Sequence, residues 1–183
     1  MASTRLDIPL AGVFQDHLLT VERYAAALRF LGLKPGDVVV MRLDPAVPEA
    51  IRVQRACWRV GATVALWTEE SCASPPLDAL LALASPTLLI GQWGRDEDLD
   101  ALGERLDVEY VLTVGSEGEG SLDDFAVIAE PRFGRASGHH INPALLIWIK
   151  MHGGGQWRRL TPDERVVAGI AVADFAEIPG FPL

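Results

Sequence analysis

Short apolar runs alternate with helical patterns along this chain, and residues 36–67 set the frame for the rest. Val38, Val39, Val40 and Met41 form the kind of continuous apolar run expected of a strand covered on both faces. Asp44 is placed to cap the helix that follows, and Pro45 suits its first turn, where a missing N–H has no partner to lose. Val47, Ala50, Ile51, Cys57 and Trp58 fall on one helical face, with Gln54 its one polar member. Gly61 is placed to stop the helix, and Ala62 to Trp67 read as a second, mostly apolar strand. The stretch predicts one βαβ unit with a right-handed crossover.

The same alternation continues on both sides. Phe14, Leu18, Val21, Ala25 and Leu28 recur at helical spacing and predict a helix from about Val13 to Leu31, ended by Gly32 and Pro35. Residues 1–11 read as a loose arm. After a polar turn, Pro75 and Pro76 open a helix carrying Leu77, Leu80, Leu81 and Leu83, which Ser85-Pro86 closes. Thr87 to Ile90 is a third strand, Asp96 to Leu106 an amphipathic helix with Leu99, Leu102 and Leu106 inward, and Tyr110 to Val114 a fourth strand. Residues 115–121 and 131–143 are irregular by composition. Leu122 to Ile128 fits either a helical turn or a short strand. Ala144 to Ile149 is a fifth strand, Met151 to Gly155 a Gly-rich turn, and Thr161-Pro162-Asp163-Glu164 opens a last helix whose apolar surface runs to Phe175. The expectation is one α/β domain over residues 1–183, three-layered, with a mainly parallel sheet of about five or more strands near 37–42, 62–67, 87–91, 110–114 and 144–149.

Composition narrows the class. With 183 residues, 49% of them hydrophobic and 22% charged, the chain has material for a folded core. A net charge of -9 argues against a general nucleic-acid binder. No apolar run approaches the roughly eighteen residues of a membrane-spanning helix, and the start lacks an apolar signal core, so a cytoplasmic protein is expected. Cys57 and Cys72 make no disulfide framework and read as buried thiols. His139, His140 and His152 match no metal-ligand spacing.

The segment LRFLGLKPGDVVVMRLDPAVPEAIRVQRACWRVGATVALW resembles the N-terminal part of the adenylate-forming (AMP-binding, acyl-CoA synthetase) superfamily. The family's order "L-x-x-L-G-V-x-P-G-D-x-V", "N-x-P-E", apolar helix, "G-A" is matched by Leu28, Leu31, Gly32, Pro35, Gly36, Asp37, Val39, Pro48, Glu49, Gly61 and Ala62. Leu66 stands where the family has a proline, and no hairpin signal precedes the first helix. The resemblance continues loosely to about Thr161 and covers the first third of a typical family member.

That resemblance puts the family's phosphate loop, "T-S-G-T-T-G-x-P-K-G", at residues 149–159. There, glycine lets backbone N–H groups approach ATP phosphates, hydroxyls add hydrogen bonds and a lysine adds charge. This chain keeps Leu145, Leu146, Ile147, an aromatic at Trp148, Gly154, Leu160 and Thr161. Ile149, Lys150, Met151, His152 and Gly153 replace the hydroxyl-rich run, and Trp157 falls where the lysine belongs. Either Gly153, Gly154 and Gly155 form a reduced anion nest for ATP or AMP, helped by Lys150 and Arg158, or they are a turn whose ligand function has lapsed. The second reading is favoured, because a Gly-rich turn alone is a weak signal. No catalytic residue is assigned, and no metal. The resemblance further implies that the family's later adenylation motifs lie beyond Leu183. The expected role is therefore a free-standing, non-catalytic domain that binds a protein partner or serves a structural role, self-associating as a homodimer. The alternatives are a nucleotide or acyl-adenylate binder using the Gly-rich loop 150–159, and one half of a split adenylate-forming enzyme.

Overall fold

A computed structural model describes residues 10–44, 47–67, 74–92, 98–115, 120–129, 145–151 and 154–160. Its elements are α1 (Leu10–Phe30), β1 (Val38–Arg42), α2 (Pro48–Val60), β2 (Thr63–Leu66), α3 (Ser74–Leu83), β3 (Pro86–Gln92), α4 (Leu99–Leu106), β4 (Tyr110–Val114), α5 (Leu122–Ile128), β5 (Leu145–Met151) and β6 (Gly154–Leu160). They build one six-stranded sheet in the order β4-β3-β1-β2-β5-β6. The first five strands are parallel, and β6 runs antiparallel to β5.

Strand alternation sorts the side chains into two cores. Val39 and Met41 of β1, Leu88 and Ile90 of β3, and Leu112 and Val114 of β4 pack with α1, α2 and α5. Val40, Ala65 and Leu89 point the other way, into a layer formed by Leu77 and Leu80 of α3 and Leu99, Leu102 and Leu106 of α4. Val39, Val40, Val64, Ala65, Leu89 and Ile90 are fully buried. This is why the strands read as continuous apolar runs: both faces of the sheet are covered. The architecture is the expected three-layer α/β domain.

The crossover from β1 to β2 follows the predicted path, with one correction at its entry. The helix starts at Pro48, with Val47 as N-cap and no side-chain cap, so Asp44 and Pro45 do not open it. Val47 instead donates its N–H to the Asp44 carbonyl, 3.0 Å, in a turn ahead of the helix. Its buried face is Ala50, Val53, Gln54, Ala56, Cys57 and Val60, while Ile51 and Trp58 are half-buried. Gly61 stops it in the left-handed region at φ 93°, donating its N–H to the Cys57 and Trp58 carbonyls.

Residues 122–128, open between two readings in the sequence, are helical. The Ser121 hydroxyl accepts the Asp124 N–H at 3.1 Å, and Asp123 and Asp124 sit in the first turn, where acids suit the helix dipole. The helix over 99–106 is shorter than expected, with 96 and 97 outside the described residues. The stretch 154–160, which carries no strand alternation, forms β6 and completes the sheet edge. The expected arm over 1–11 is corrected at its end, since α1 already begins at Leu10, ahead of the expected Val13; residues 1–9, the irregular stretch 131–143 and the last helix from 161 fall outside the described residues. Among the described residues, no helix is long and apolar enough to cross a membrane.

Candidate functional site

The residues singled out in the sequence fall on the hairpin of β5 and β6. Its ladder pairs Leu145 with Leu160 at one end and runs through Trp148 with Trp157 and Lys150 with Gly155 to Met151 with Gly154. Residues 152 and 153 alone separate the paired ends, and both, Gly153 included, lie outside the described residues. Lys150, Gly154 and Gly155 are thus brought together at the hairpin end, as members of a ladder. Arg158 is exposed and pairs with Ile147, three residues further along β6, roughly 10 Å of strand from Gly155. Of the predicted turn Met151 to Gly155, both ends belong to strands.

Trp157, which falls where the resembled family has its loop lysine, is buried with 9% of its surface exposed. Its ring lies against Trp67, with centroids 6.0 Å apart and planes 29° from parallel. Trp67 follows the end of β2 and is itself buried. Both indoles belong to the core between the sheet and α3 and α4. An aromatic pair in that geometry contributes about 0.5–1.5 kcal/mol beyond the area it buries. The strand alternation that sends Trp157 into this core therefore places an apolar ring, held in packing, at the position the resemblance assigns to a phosphate-binding cation.

The helical layer on the opposite face holds a set of polar ties that the sequence pattern did not single out. The Tyr24 hydroxyl donates to Asp123 Oδ1, and Asp123 Oδ2 accepts the Gly115 N–H at 2.9 Å. One carboxylate thereby joins α1, α5 and the end of β4. Burial, the hydrogen bond to Asp123 and that carboxylate's charge push the Tyr24 hydroxyl well above the usual tyrosine range. Arg59 and Glu22 pair at 2.7 Å, and Arg29 donates to the Arg59 carbonyl at 2.9 Å, so the last turn of α2 is tied to α1. Apart from Gly115 with Asp123, these pairs lie 30 or more residues apart in sequence, and no local spacing announces them.

His17 of α1 sits with Nε2 3.3 Å from Arg55 Nη1 of α2. Burial, then the Arg55 charge, then the Arg52 charge hold its imidazole below the usual 6.5. A depressed folded-state value means that protonation favours the unfolded chain. The contribution is complete above pH 6.5 and is lost as pH falls through the folded-state value. Urea midpoints taken at neutral pH and at about pH 5 are expected to fall on acidification, and to fall less in His17→Gln.

Cys57 is completely buried, and burial pushes its thiol up to about 12, which disqualifies it as a nucleophile at neutral pH. Cys72, His139, His140 and His152 lie outside the described residues. Among the described residues, no group of three or more His, Cys, Asp or Glu side chains could hold a metal ion.

A groove opens on the α3/α4 face at the carboxyl ends of β1 and β2. Arg42, Trp67, Asp98, Ala101, Leu102 and Arg105 line a volume of about 210 Å³. It sits beside β1, where the chain leaves β1 through α2 on one face while α3 and α4 occupy the other. Open α/β sheets bind ligands at such switch points.

No protein-family model and no curated protein matches the chain in sequence. Solved structures do match in fold. A long-chain-fatty-acid-CoA ligase from Archaeoglobus fulgidus superposes with a TM-score of 0.67 at 21% identity, over 81% of this chain and 29% of that one. MatB from Rhodopseudomonas palustris, without ligand, gives 0.64 at 21% identity, over 88% and 32%. The N-terminal domain of FACL13 from Mycobacterium tuberculosis gives 0.59 at 16% identity, over 80% and 36%. The chain spans about a third of the length of the solved chains it matches. With the parallel sheet, its helical layers and the β5–β6 hairpin in place, this chain has the fold of the N-terminal region of the adenylate-forming, acyl-CoA ligase enzymes.

Proposed function

We propose that this chain is a non-catalytic relative of that N-terminal region and works by binding protein, in the first instance a second copy of itself. The observation that carries the reading is Trp157. Its indole is buried against Trp67 where a phosphate loop needs an accessible cation, and the ladder through Lys150, Met151, Gly154 and Gly155 leaves two residues between its strands. Catalysis of adenylate formation relies on preorganised donors around the phosphates. The hydroxyl-rich run is replaced by Ile149, Lys150, Met151, His152 and Gly153, so few such donors remain. Titration calorimetry with ATP, AMP and CoA is expected to give no saturable heat. Saturable binding of ATP or AMP, abolished by Lys150→Ala, would instead support a working anion nest.

The protein-binding half of the proposal is supported by the ends of α1 and α5. These two helices pack on each other through Tyr24 and Asp123, and at their C-terminal ends Phe30, Val127 and Ile128 are 64%, 86% and 67% exposed. Contiguous apolar patches on a surface are commonly covered by association, and a two-fold homodimer is the commonest form it takes. Sedimentation equilibrium at micromolar protein is expected to show a mass that rises with concentration towards the dimer. A constant monomer mass would remove self-association, and a dimer mass unchanged by Val127→Glu with Ile128→Glu would remove the α1–α5 end as its interface.

A further inference from the structure

We propose that the open edge of β4 takes up, as an added strand, an extended segment of another protein that alternates apolar with basic residues. The surface is separate from the β5–β6 hairpin, and the proposal stands whether or not the chain self-associates at the ends of α1 and α5.

Strand β4 closes one side of the sheet, and among the described residues no strand lies beyond it. Alternate residues of such a strand turn their N–H and C=O groups away from the neighbour, here β3. Ser121 bridges to Thr113 and covers the last part of the edge. Among the described residues, nothing pairs with Tyr110 to Leu112 on that side. Residues 108–112 span roughly 16 Å, room for a guest strand of similar length. In this mode of recognition the main-chain hydrogen bonds supply affinity, and the flanking side chains decide which sequence fits.

The two flanks of the edge differ in chemistry. By strand alternation Tyr110 shares the face of Leu112, under α5, and Glu109 shares the face of Val111, under α4. On the first face, Asp123 reaches Tyr24 of α1, so Phe125 and Ile128 stand on the flank of α5 away from α1, towards the open edge. Tyr110 and Ile128 are 36% and 67% exposed and Phe125 is half-buried, so an apolar strip borders the edge here. On the second face, Ala101 and Arg105 of α4 turn towards Arg42 and Trp67, on the side of β1 and β2. Asp100, Glu104 and Asp107 therefore lie on the opposite flank of α4, on the side of β4, and like Glu109 they are exposed. A guest strand whose side chains alternate between the faces meets apolar groups with one set and carboxylates with the other. Opposite charges on neighbouring strands stabilise their pairing, and like charges oppose it. A second copy of β4 would bring its own Glu109 and Asp107 against these acids, and the net charge of -9 adds to that repulsion, so a basic guest is favoured over another copy of this chain.

The test uses the whole chain labelled with nitrogen-15 and, as probe, a blocked seven-residue peptide alternating lysine with valine. Saturable shifts are expected in residues 108–112, together with slowed exchange of the amides that face outward. The same peptide with glutamate for lysine is expected to bind at least about tenfold more weakly. So is the lysine peptide with alternate backbone nitrogens methylated, which keeps the charge and removes hydrogen bonds to the edge. Glu109→Lys is expected to weaken the lysine peptide about fivefold, and Arg159→Ala, at the opposite edge of the sheet, to leave it unchanged. Val127→Glu, on the flank of α5 nearer α1, is expected to lower self-association and leave the peptide bound, which separates the two surfaces. The proposal is overturned if the peptide does not saturate, if methylation makes no difference, if the shifts fall in residues 154–160, or if Val127→Glu abolishes binding. It is equally overturned if the amides of Tyr110, Val111 and Leu112 are all protected in the free chain, since the edge would then be covered by the chain's own residues.

Discussion

Replacing Trp157 by lysine, the residue the resembled family carries there, is expected to destabilise the fold by about 3–5 kcal/mol and to confer no nucleotide binding. The indole fills space between the sheet and α3 and stacks on Trp67, so its removal leaves a cavity and an unmatched ring. An ammonium group sent into the same place either neutralises or reaches out along the strand to water, and both outcomes give up the aromatic contact. Against the typical 5–15 kcal/mol of a domain, the loss is a large fraction of the total. Urea unfolding followed by far-ultraviolet circular dichroism reads it directly. Trp157→Phe keeps an aromatic ring and is expected to lose clearly less. If Trp157→Lys unfolds at the wild-type midpoint, the indole is not the structural element described here.

Gly103→Ala is expected to destabilise by about 2 kcal/mol, although alanine is the better helix former by about 1 kcal/mol. At an exposed helical position the propensity term would decide the sign. Here a Cβ on Gly103 would lie 2.3 Å from Val111 Cγ2, where α4 crosses β4. Valine is stiff about χ1, so relief requires the helix to lift from the sheet or the side chain to leave its rotamer. Overpacking of this kind costs about 1–3 kcal/mol, which outweighs the propensity gain. Thermal unfolding is the check: a raised midpoint for Gly103→Ala would show that the helix–sheet approach at this point is looser than the geometry states.

Strands β1, β2 and β3 were legible because each is buried on both faces and therefore spelled as a continuous apolar run. Helix ends set by glycine were equally legible, since at Gly61 the left-handed conformation leaves a local mark on the sequence. The entry to α2 was misread. Asp44 and Pro45 have the right chemistry for a cap, but so does a turn that ends at Val47 with Pro48 opening the helix, and the two differ only in backbone path. Strand β6 was missed because Gly154, Gly155, Gln156, Arg158 and Arg159 give it no apolar run, and only Trp157 and Leu160, on opposite faces, are buried in the two cores. The fate of Trp157 was hidden for the same reason. The resemblance located it in the phosphate loop, but its partner Trp67 lies 90 residues earlier. The ties of Tyr24 with Asp123 and of His17 with Arg55 are likewise products of tertiary packing. The groove at Arg42 and Arg105 depends on the strand order β3-β1-β2, which alternation alone does not specify.

ATP–pyrophosphate exchange with the pure protein, over a panel of fatty and aromatic carboxylic acids, tests the central claim most directly. The account predicts exchange no faster than the protein-free blank with every acid. Exchange above that blank, dependent on both ATP and the acid and lost in Lys150→Ala, would contradict it and restore the β5–β6 hairpin as a working phosphate loop.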